Sequence, residues 1–172
     1  MIRLANTADL DAIEAIYDAI HTQEEAGEVT IGWNRAIYPT RATAEATIEK
    51  GTMFVLEDEG RVVAAAKIDQ EQVDVYANGE WRHPAEDEEV MVLHTLVIDP
   101  GVARKGYATK FVDFYETFAK DRGCSYLRMD TNEINVRARS LYRKLGYEEI
   151  GIVPCTFNGI DGVQLVLLEK KI

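Results

Sequence analysis

The sequence lacks several features that would place it in a specialised class of protein. It has no apolar run near 18 residues and no signal-peptide pattern, so neither a membrane span nor secretion is predicted. Its two cysteines, Cys124 and Cys155, are far apart and in no metal-ligand spacing, which favours reduced thiols in the cytoplasm. No repeat, linker or low-complexity tract interrupts the 172 residues, so we expect a single domain over residues 1–172.

Positive charge is scarce over most of the chain. The net charge is −11, which argues against a general nucleic-acid binder. Residues 101–145 are the exception, because they carry ten Lys or Arg against five Asp or Glu. A solvated helix face explains part of this local excess, but a local anion site explains it better.

The basic segment begins with a loop that is typical of phosphate-binding sites. An apolar strand at residues 90–98 is followed by a short basic loop, which opens an amphipathic helix at Gly106. Such a loop directs backbone N–H groups and the positive end of a helix towards one point. Gly101 and Gly106 have the spacing of a Walker A loop, yet Tyr107 and Ala108 stand where Lys-Ser/Thr would be required. The loop therefore predicts a pyrophosphate cradle without a metal site.

Capping signals divide the rest of the chain into helices and strands. Thr7 and Thr40 can begin the first two helices, and Asn135 can begin the last. The acidic segment 69–89 is predicted to be a long loop with a ragged strand near residues 73–76. The other strands are predicted at residues 2–4, 53–57, 61–68, 90–98, 125–131, 147–153 and 162–169, with a helix at 106–122. This order predicts a mixed α/β (α+β) fold, whose mostly antiparallel central sheet of about six to seven strands is flanked by about four helices.

Two motifs in residues 90–151 together resemble the GCN5-related N-acetyltransferase (GNAT) family. The first is L-x-x-L-x-V/I-x-P with a basic G-x-A loop, and the second is N-x-x-A-x-x-L-Y-x-K-L-G-Y. The N-terminal half matches the family only in the order of its elements. The resemblance implies an N-acetyltransferase that uses acetyl-CoA as co-substrate, needs no metal, and passes the acetyl group directly to an amine.

The resemblance also implies where the thioester end of the coenzyme lies. The strand before the loop would splay from its neighbour, so that Leu96, Val97 and Ile98 pair with the pantetheine arm. A backbone N–H of this stretch, with Val97 favoured, would stabilise the oxyanion. Asn135 would contact the pantetheine side as well as cap its helix.

The pyrophosphate loop departs from the family pattern at one position. The family loop begins with Gln or Arg, but Ala103 stands there, so we expect weakened but not abolished coenzyme binding. Arg104 and Lys105 can supply the lost charge, unless they simply face water. The resemblance assigns pyrophosphate binding to Arg104, Lys105, Gly106, Tyr107, Ala108 and Thr109.

Tyr142 and His94 are the predicted catalytic residues. Tyr142 matches the family tyrosine that donates a proton to the departing thiolate, although its spacing also suits a core aromatic. His94 is the candidate base, because strand alternation places it on the same face as Leu96 and an ordinary histidine pKa of ~6.5 suits this work. A satisfied core histidine is an equal alternative, and Glu88 or Glu89 acting through water are further candidates.

The acceptor is predicted only as an amine of a small molecule or peptide. An acidic and aromatic wall near the site fits a cationic amine. No nucleic-acid or membrane partner is expected, and a homodimer is left open. Two rival functions keep the fold, namely transfer of a longer acyl group and a non-catalytic acyl-CoA-binding or interaction module. The predicted wall consists of Glu24, Glu25, Glu28, Trp33, Tyr38 and Phe157.

Overall fold

A computed structural model describes residues 1–102 and 105–172, whose strands form one seven-stranded sheet in the order β1-β2-β3-β4-β5-β7-β6. Within these residues β4 and β5 are the one parallel pair, so the predicted mostly antiparallel sheet is confirmed. The strands are β1 (Ile2–Leu4), β2 (Met53–Asp58), β3 (Arg61–Asp69), β4 (Val90–Ile98), β5 (Tyr126–Asn132), β6 (Glu148–Phe157) and β7 (Ile160–Lys171).

Four α-helices cover the two faces of the described sheet, as α1 (Leu10–Glu25), α2 (Arg41–Glu49), α3 (Tyr107–Asp121) and α4 (Val136–Lys144). Because neighbouring strand residues point to opposite faces, β2 supplies both apolar layers. Val55 packs with α1 and α2, whereas Phe54 packs with α3 on the other side. None of the described helices is both long and apolar enough to cross a membrane.

The first helix begins differently from the prediction. Asn6, and not Thr7, is the capping residue, and it starts a 3-10 turn at Thr7–Asp9 that leads into α1. The side chain of Asn6 accepts a hydrogen bond from the N–H of Ala8, and the Asp9 carboxylate accepts one from the N–H of Asn6. This reciprocal pair satisfies two backbone donors that Thr7 could not reach from inside the turn.

The ragged strand predicted near residues 73–76 is wrong. Residues Asp74–Asn78 form a 3-10 turn instead. Tyr76 is buried, and its hydroxyl donates a hydrogen bond of 2.7 Å to Asp130 on β5. The indole N–H of Trp81 donates to the backbone oxygen of Tyr76 at 2.8 Å. These side-chain contacts hold the segment against the sheet without a strand ladder.

The last hairpin is longer than predicted. Phe157 pairs with Ile160 across a turn at Asn158 and Gly159, whose φ angles are 51° and 77°. Asn-Gly is a strong hairpin signal because both residues tolerate positive φ, and it extends β6 and β7 beyond the predicted ends. The extension brings Phe157 to the functional cleft described below.

Tyr115 joins α3 to the paired part of β4 and β5. Its hydroxyl lies 2.6 Å from the backbone oxygen of Met91 on β4 and 3.2 Å from that of Arg128 on β5. The ring is fully buried in the cluster between α3 and the sheet. One side chain therefore contacts both strands beside the point at which they separate.

We predict that Tyr115→Phe lowers the free energy of unfolding by about 1–2 kcal/mol, because a buried hydroxyl and its hydrogen bonds are lost. Urea denaturation measures this loss. Tyr17→Phe is the matched control, since Tyr17 is equally buried and its hydroxyl has no hydrogen-bond partner among the described residues. Its effect should stay within about 0.5 kcal/mol. Equal losses in both variants would contradict the bridging role of Tyr115.

Candidate active site

β4 and β5 separate halfway along their length, and a cleft opens between them. The parallel pairing runs from Val90 with Tyr126 to Leu93 with Met129 and goes no further. The remainder of each strand borders a cleft of about 970 Å³. Such a gap leaves backbone donors and acceptors free to pair with an extended ligand, as a neighbouring strand would.

A β-bulge at Thr95 bends β4 just beyond the separation point. The register with β3 shifts between the pairs Ala65–Val97 and Lys67–His94, and Thr95 has a φ of 51°. A positive φ is rare for a β-branched residue and marks local strain. The Thr95 hydroxyl is hydrogen-bonded to that of Tyr38, so the loop before α2 is tied to the bulge.

The ladder between β3 and β4 decides which backbone groups face the cleft. The N–H of Asp99 donates to the backbone oxygen of Val63 at 2.8 Å, so these two residues form a hydrogen-bonded pair. In an antiparallel ladder, hydrogen-bonded pairs alternate with pairs that are not hydrogen-bonded. Val97, opposite Ala65, therefore turns its N–H towards β3, whereas Ile98 turns its own towards the cleft. Of these two N–H groups, that of Ile98 is therefore available to a ligand in the cleft, and the oxyanion role of Val97 stays a prediction that its hydrogen bond to β3 does not favour.

The helix start predicted for pyrophosphate binding borders the same cleft. Gly106 is the N-cap of α3 with a φ of 76°, and Ala108 and Thr109 line the cleft behind it. Tyr107 also lines the cleft, and its hydroxyl donates to Asp58. Lys105 is exposed and does not line the cleft, while Ala103 and Arg104 lie outside the described residues.

Helix α4 brings two predicted residues to the cleft. The Asn135 side chain caps the helix by accepting from the N–H of Ala138 at 3.2 Å, which leaves its NH₂ group available. Tyr142 is 8% exposed and lines the cleft, and its hydroxyl has no hydrogen-bond partner in the described part of the chain. Burial, followed by the nearby charge of Asp130, raises the pKa of Tyr142, so the phenol stays protonated at neutral pH.

The predicted base candidates lie away from the lining of the cleft. His94 is nine-tenths buried, and its Nε2 lies 3.1 Å from Oδ1 of Asp69. The bulge also interrupts the alternation of side chains along β4. Leu96 packs towards α3, whereas the side chain of His94 lies on the opposite face of the sheet, beside Asp69. Glu88 and Glu89 are exposed and precede β4, at the end opposite to the gap. The base role of His94 thus stays a prediction that needs an intermediary.

The predicted acceptor wall is brought together in part. Glu28, Trp33, Tyr38 and Phe157 line the cleft, whereas Glu24 and Glu25 do not. Glu24 accepts hydrogen bonds from the N–H groups of residues 31 and 32, at 2.7 and 2.8 Å, and so shapes the loop after α1. Glu25 forms an ion pair of 2.9 Å with Arg35 on the surface. Glu24 therefore supports the wall and Glu25 lies on the surface, so neither carboxylate lines the cleft.

The basic segment is also divided between roles. Arg128 is 6% exposed, and its guanidinium lies 4.2 Å from the ring centroid of Trp81. Arg139 pairs with Glu149 at 2.8 Å. Arg137 alone among the described cations of residues 101–145 lines the cleft. Two of the basic residues therefore have structural roles, and the excess of positive charge in this segment supports an anion site only in part.

Asp130 lines the cleft, although the sequence suggested no role for it. It is the first residue of β5 beyond the last pair with β4, and Tyr76 donates to its Oδ2 at 2.7 Å. Burial raises the pKa of this carboxyl. No local pattern marks Asp130 in the sequence, because β5 also contains the polar residues Arg128, Thr131 and Asn132. No group of three His, Cys, Asp or Glu in the described residues is arranged to hold a metal ion.

Comparisons with known proteins agree with this geometry. The sequence profile of the acetyltransferase (GNAT) family matches residues 13–147. The chain belongs to the GNAT family. The resemblance inferred from the two motifs is thus confirmed, and membership supports acyltransferase activity. A search of curated proteins gives no significant match.

Solved structures share the GNAT fold over almost the whole chain. A GNAT acetyltransferase from Streptococcus agalactiae is 25% identical with a TM-score of 0.82, covering 100% of this chain and 95% of that one. A ribosomal-protein-alanine N-acetyltransferase from Brucella melitensis is 21% identical with a TM-score of 0.71, covering 100% and 99%. The Salmonella typhimurium protein yncA, solved with its cofactor acetyl-CoA, is 18% identical with a TM-score of 0.68, covering 99% and 92%.

We predict that Gly106→Glu weakens acetyl-CoA binding at least about tenfold, or ~1.4 kcal/mol, because it adds bulk and negative charge at the expected pyrophosphate position. Isothermal calorimetry measures the affinity. Gly123→Glu is the matched control, since Gly123 follows the other end of α3 with a φ of 75° and equally open space around a Cβ. Both variants should lose stability through backbone strain, but the control should keep its affinity. Unchanged affinity in folded Gly106→Glu would remove the loop from the coenzyme site.

Proposed function

We propose that residues 1–172 form a single acetyl-CoA-dependent N-acetyltransferase domain that transfers an acetyl group directly to the primary amine of a small molecule or peptide. The observation that carries the proposal is that the gap between β4 and β5, the start of α3 and Tyr142 all border one cleft. The acetyl-CoA bound to the similarly folded yncA supports the choice of coenzyme.

The chain offers separate contacts for the parts of this coenzyme. The backbone of Leu96, Val97 and Ile98 borders the gap and suits the amide-containing pantetheine arm. The backbone N–H groups at the start of α3 suit the pyrophosphate, because a helix N-terminus attracts anions. A side chain at Gly106 would meet no atom of the described residues within 4 Å, which leaves room on that side for a phosphate to approach the backbone. When bound, acetyl-CoA supplies the activated acetyl thioester.

Tyr142 is the proposed proton donor to the coenzyme sulfur. Tyr142 lines the cleft, and its hydroxyl is protonated at neutral pH and is not committed to any described partner. A departing thiolate needs a nearby donor, and a phenol in a desolvated cleft provides a strong hydrogen bond to it. The amine is itself the nucleophile, so no acyl-enzyme is required. His94 would assist through water or another side chain, because it does not line the cleft and its Nε2 is bonded to Asp69.

The proposal is tested by thiol release from acetyl-CoA with a panel of amines, namely spermidine, kanamycin, phenethylamine and a peptide with a free N-terminal alanine. We predict that at least one amine supports turnover. Binding of acetyl-CoA without thiol release from any amine would instead favour the non-catalytic binding module. Faster release from a longer acyl-CoA would favour the rival transferase.

We predict that Tyr142→Phe lowers kcat by about 10²-fold while coenzyme affinity by calorimetry stays similar, because packing is kept and the proton donor is lost. Tyr147→Phe is the matched control, since its ring packs against Tyr142 at 6.1 Å but its hydroxyl bonds to Glu116 outside the cleft. The control should lose stability and keep its turnover. A Tyr142→Phe enzyme with unchanged kcat would show that Tyr142 acts only in packing.

A further inference from the structure

We propose that Asp130 binds the ammonium group of the acceptor and removes its proton, and that this acceptor is a monoamine with an apolar body. This inference rests on the proposed transferase function and deepens it. It also gives the proton-accepting role to a residue that lines the cleft, which His94, Glu88 and Glu89 do not.

Asp130 lies at the point in the sheet where the gap opens. Met129 forms the last pair with β4, so Asp130 is the first β5 residue at the open gap. Met129 points into the cluster below α3, and alternation turns Asp130 to the opposite face, which carries Tyr76. Tyr38 and Phe157 also line the cleft. The carboxylate thus lies at the start of the gap and shares one cleft with residues of the predicted acceptor wall.

The Asp130 carboxylate has no cation bonded to it among the described residues. Tyr76 donates to Oδ2, whereas Oδ1 accepts no hydrogen bond from any described group. The contrast with Asp69 is informative, because that half-buried carboxylate is surrounded by Lys67 and His94. A desolvated carboxylate without a cation is costly, and an incoming ammonium would supply the missing partner.

The groups facing Asp130 make it a suitable proton acceptor. Burial raises its pKa, while the Tyr76 hydrogen bond and the positive influence of His94 oppose that rise. A more basic carboxylate takes a proton from an ammonium more readily than an exposed one. The titratable groups close enough to interact with it come from five different segments and are Tyr38, Tyr76, His94, Tyr142 and Cys155.

The charges of the lining indicate the class of acceptor. Three charged side chains line the described cleft, namely Glu28, Asp130 and Arg137. Glu28 and Arg137 are exposed at its rim, so Asp130 is the one charge in its interior. Aromatic residues such as Trp33 and Phe157 line the same cleft. One inner carboxylate beside apolar surface suits a single ammonium on an apolar body, whereas a polyamine would place further charges against uncharged walls.

The proposed step balances in protons and bonds. The ammonium gives one proton to Asp130, and the freed amine forms a bond to the acetyl carbon. The carbon–sulfur bond breaks, the thiolate takes a proton from Tyr142, and the nitrogen loses its second proton to restore the phenol. Asp130 then releases its proton to solvent, so that an amide, a thiol and one proton are the products.

The test is the pH dependence of kcat/KM for Asp130→Asn, measured by thiol release with phenethylamine. At pH 7 the value should fall by about 10²-fold, the scale of general-base loss. Because an alkyl amine has a pKa of about 10, the activity of the variant should rise roughly tenfold per pH unit from 7 to 9, while the wild type has levelled off. Acetyl-CoA affinity by calorimetry should stay within about twofold, since Asp130 has no proposed contact with the coenzyme.

Two further variants separate Asp130 from its neighbours. Tyr76→Phe removes a hydrogen bond to the ionised carboxylate, so the pKa of Asp130 should rise and the acidic limb of the profile should move to higher pH. The value of kcat/KM on the plateau above this limb should stay unchanged. His94→Gln should shift the same limb in the same direction without abolishing it. An Asp130→Asn enzyme with wild-type rate and profile would overturn the proposal, as would a His94→Gln enzyme that loses the limb altogether.

Failure of the inference and failure of the proposed function look different. If the wild type releases thiol and Asp130→Asn does so equally well, only the role of Asp130 is wrong. If the wild type binds acetyl-CoA but acetylates no amine of the panel, the transferase function itself is wrong. A kcat/KM for spermidine above that for phenethylamine would overturn the monoamine class.

Discussion

The site depends on one constraint, which is that β4 and β5 stop pairing after Leu93 and Met129. Every strand residue carries a donor and an acceptor, and each buried group left unpaired costs about 1–3 kcal/mol. The gap is therefore held open by other contacts. Tyr115 fixes both strands at the paired end, and the bulge at Thr95, bonded to Tyr38, redirects β4 at the open end. The backbone shape of the cleft thus exists before any ligand is considered.

An element could be predicted from the sequence where the residues that determine it are neighbours in the chain. The strand, loop and helix over residues 90–122 lie next to each other in the chain, so periodicity and Gly106 were sufficient to place them. Asn135 was likewise readable as a helix cap. The 3-10 turn after residue 73 is not predictable locally, because Tyr76 is held by a distant partner, Asp130. The bulge at Thr95 likewise depends on contacts between distant segments, and it determines which face of the sheet carries His94.

The charged residues of the sequence indicated the site less well than the position of residues along the strands does. Glu24 and Glu25 were expected to face a cationic acceptor, but backbone N–H groups and Arg35 already satisfy them. Arg128 and Arg139 belong to the basic segment, yet they pack on Trp81 and pair with Glu149. A charged residue in a folded protein is committed first to its nearest partner. The charged residue that marks the site is the one without a partner, and only the folded structure shows which residue that is.

Burial from water would favour both proton transfers of the proposed reaction. Burial disfavours the charged form of each group, so it raises the pKa of the Asp130 carboxyl and of the Tyr142 phenol alike. For the carboxylate this increases basicity, which helps it to take a proton from an ammonium. For the phenol it secures the protonated form, which is the form that can donate to sulfur. Because the two side chains approach from β5 and from α4, one cleft can hold a proton acceptor near the amine and a proton donor near the thiolate.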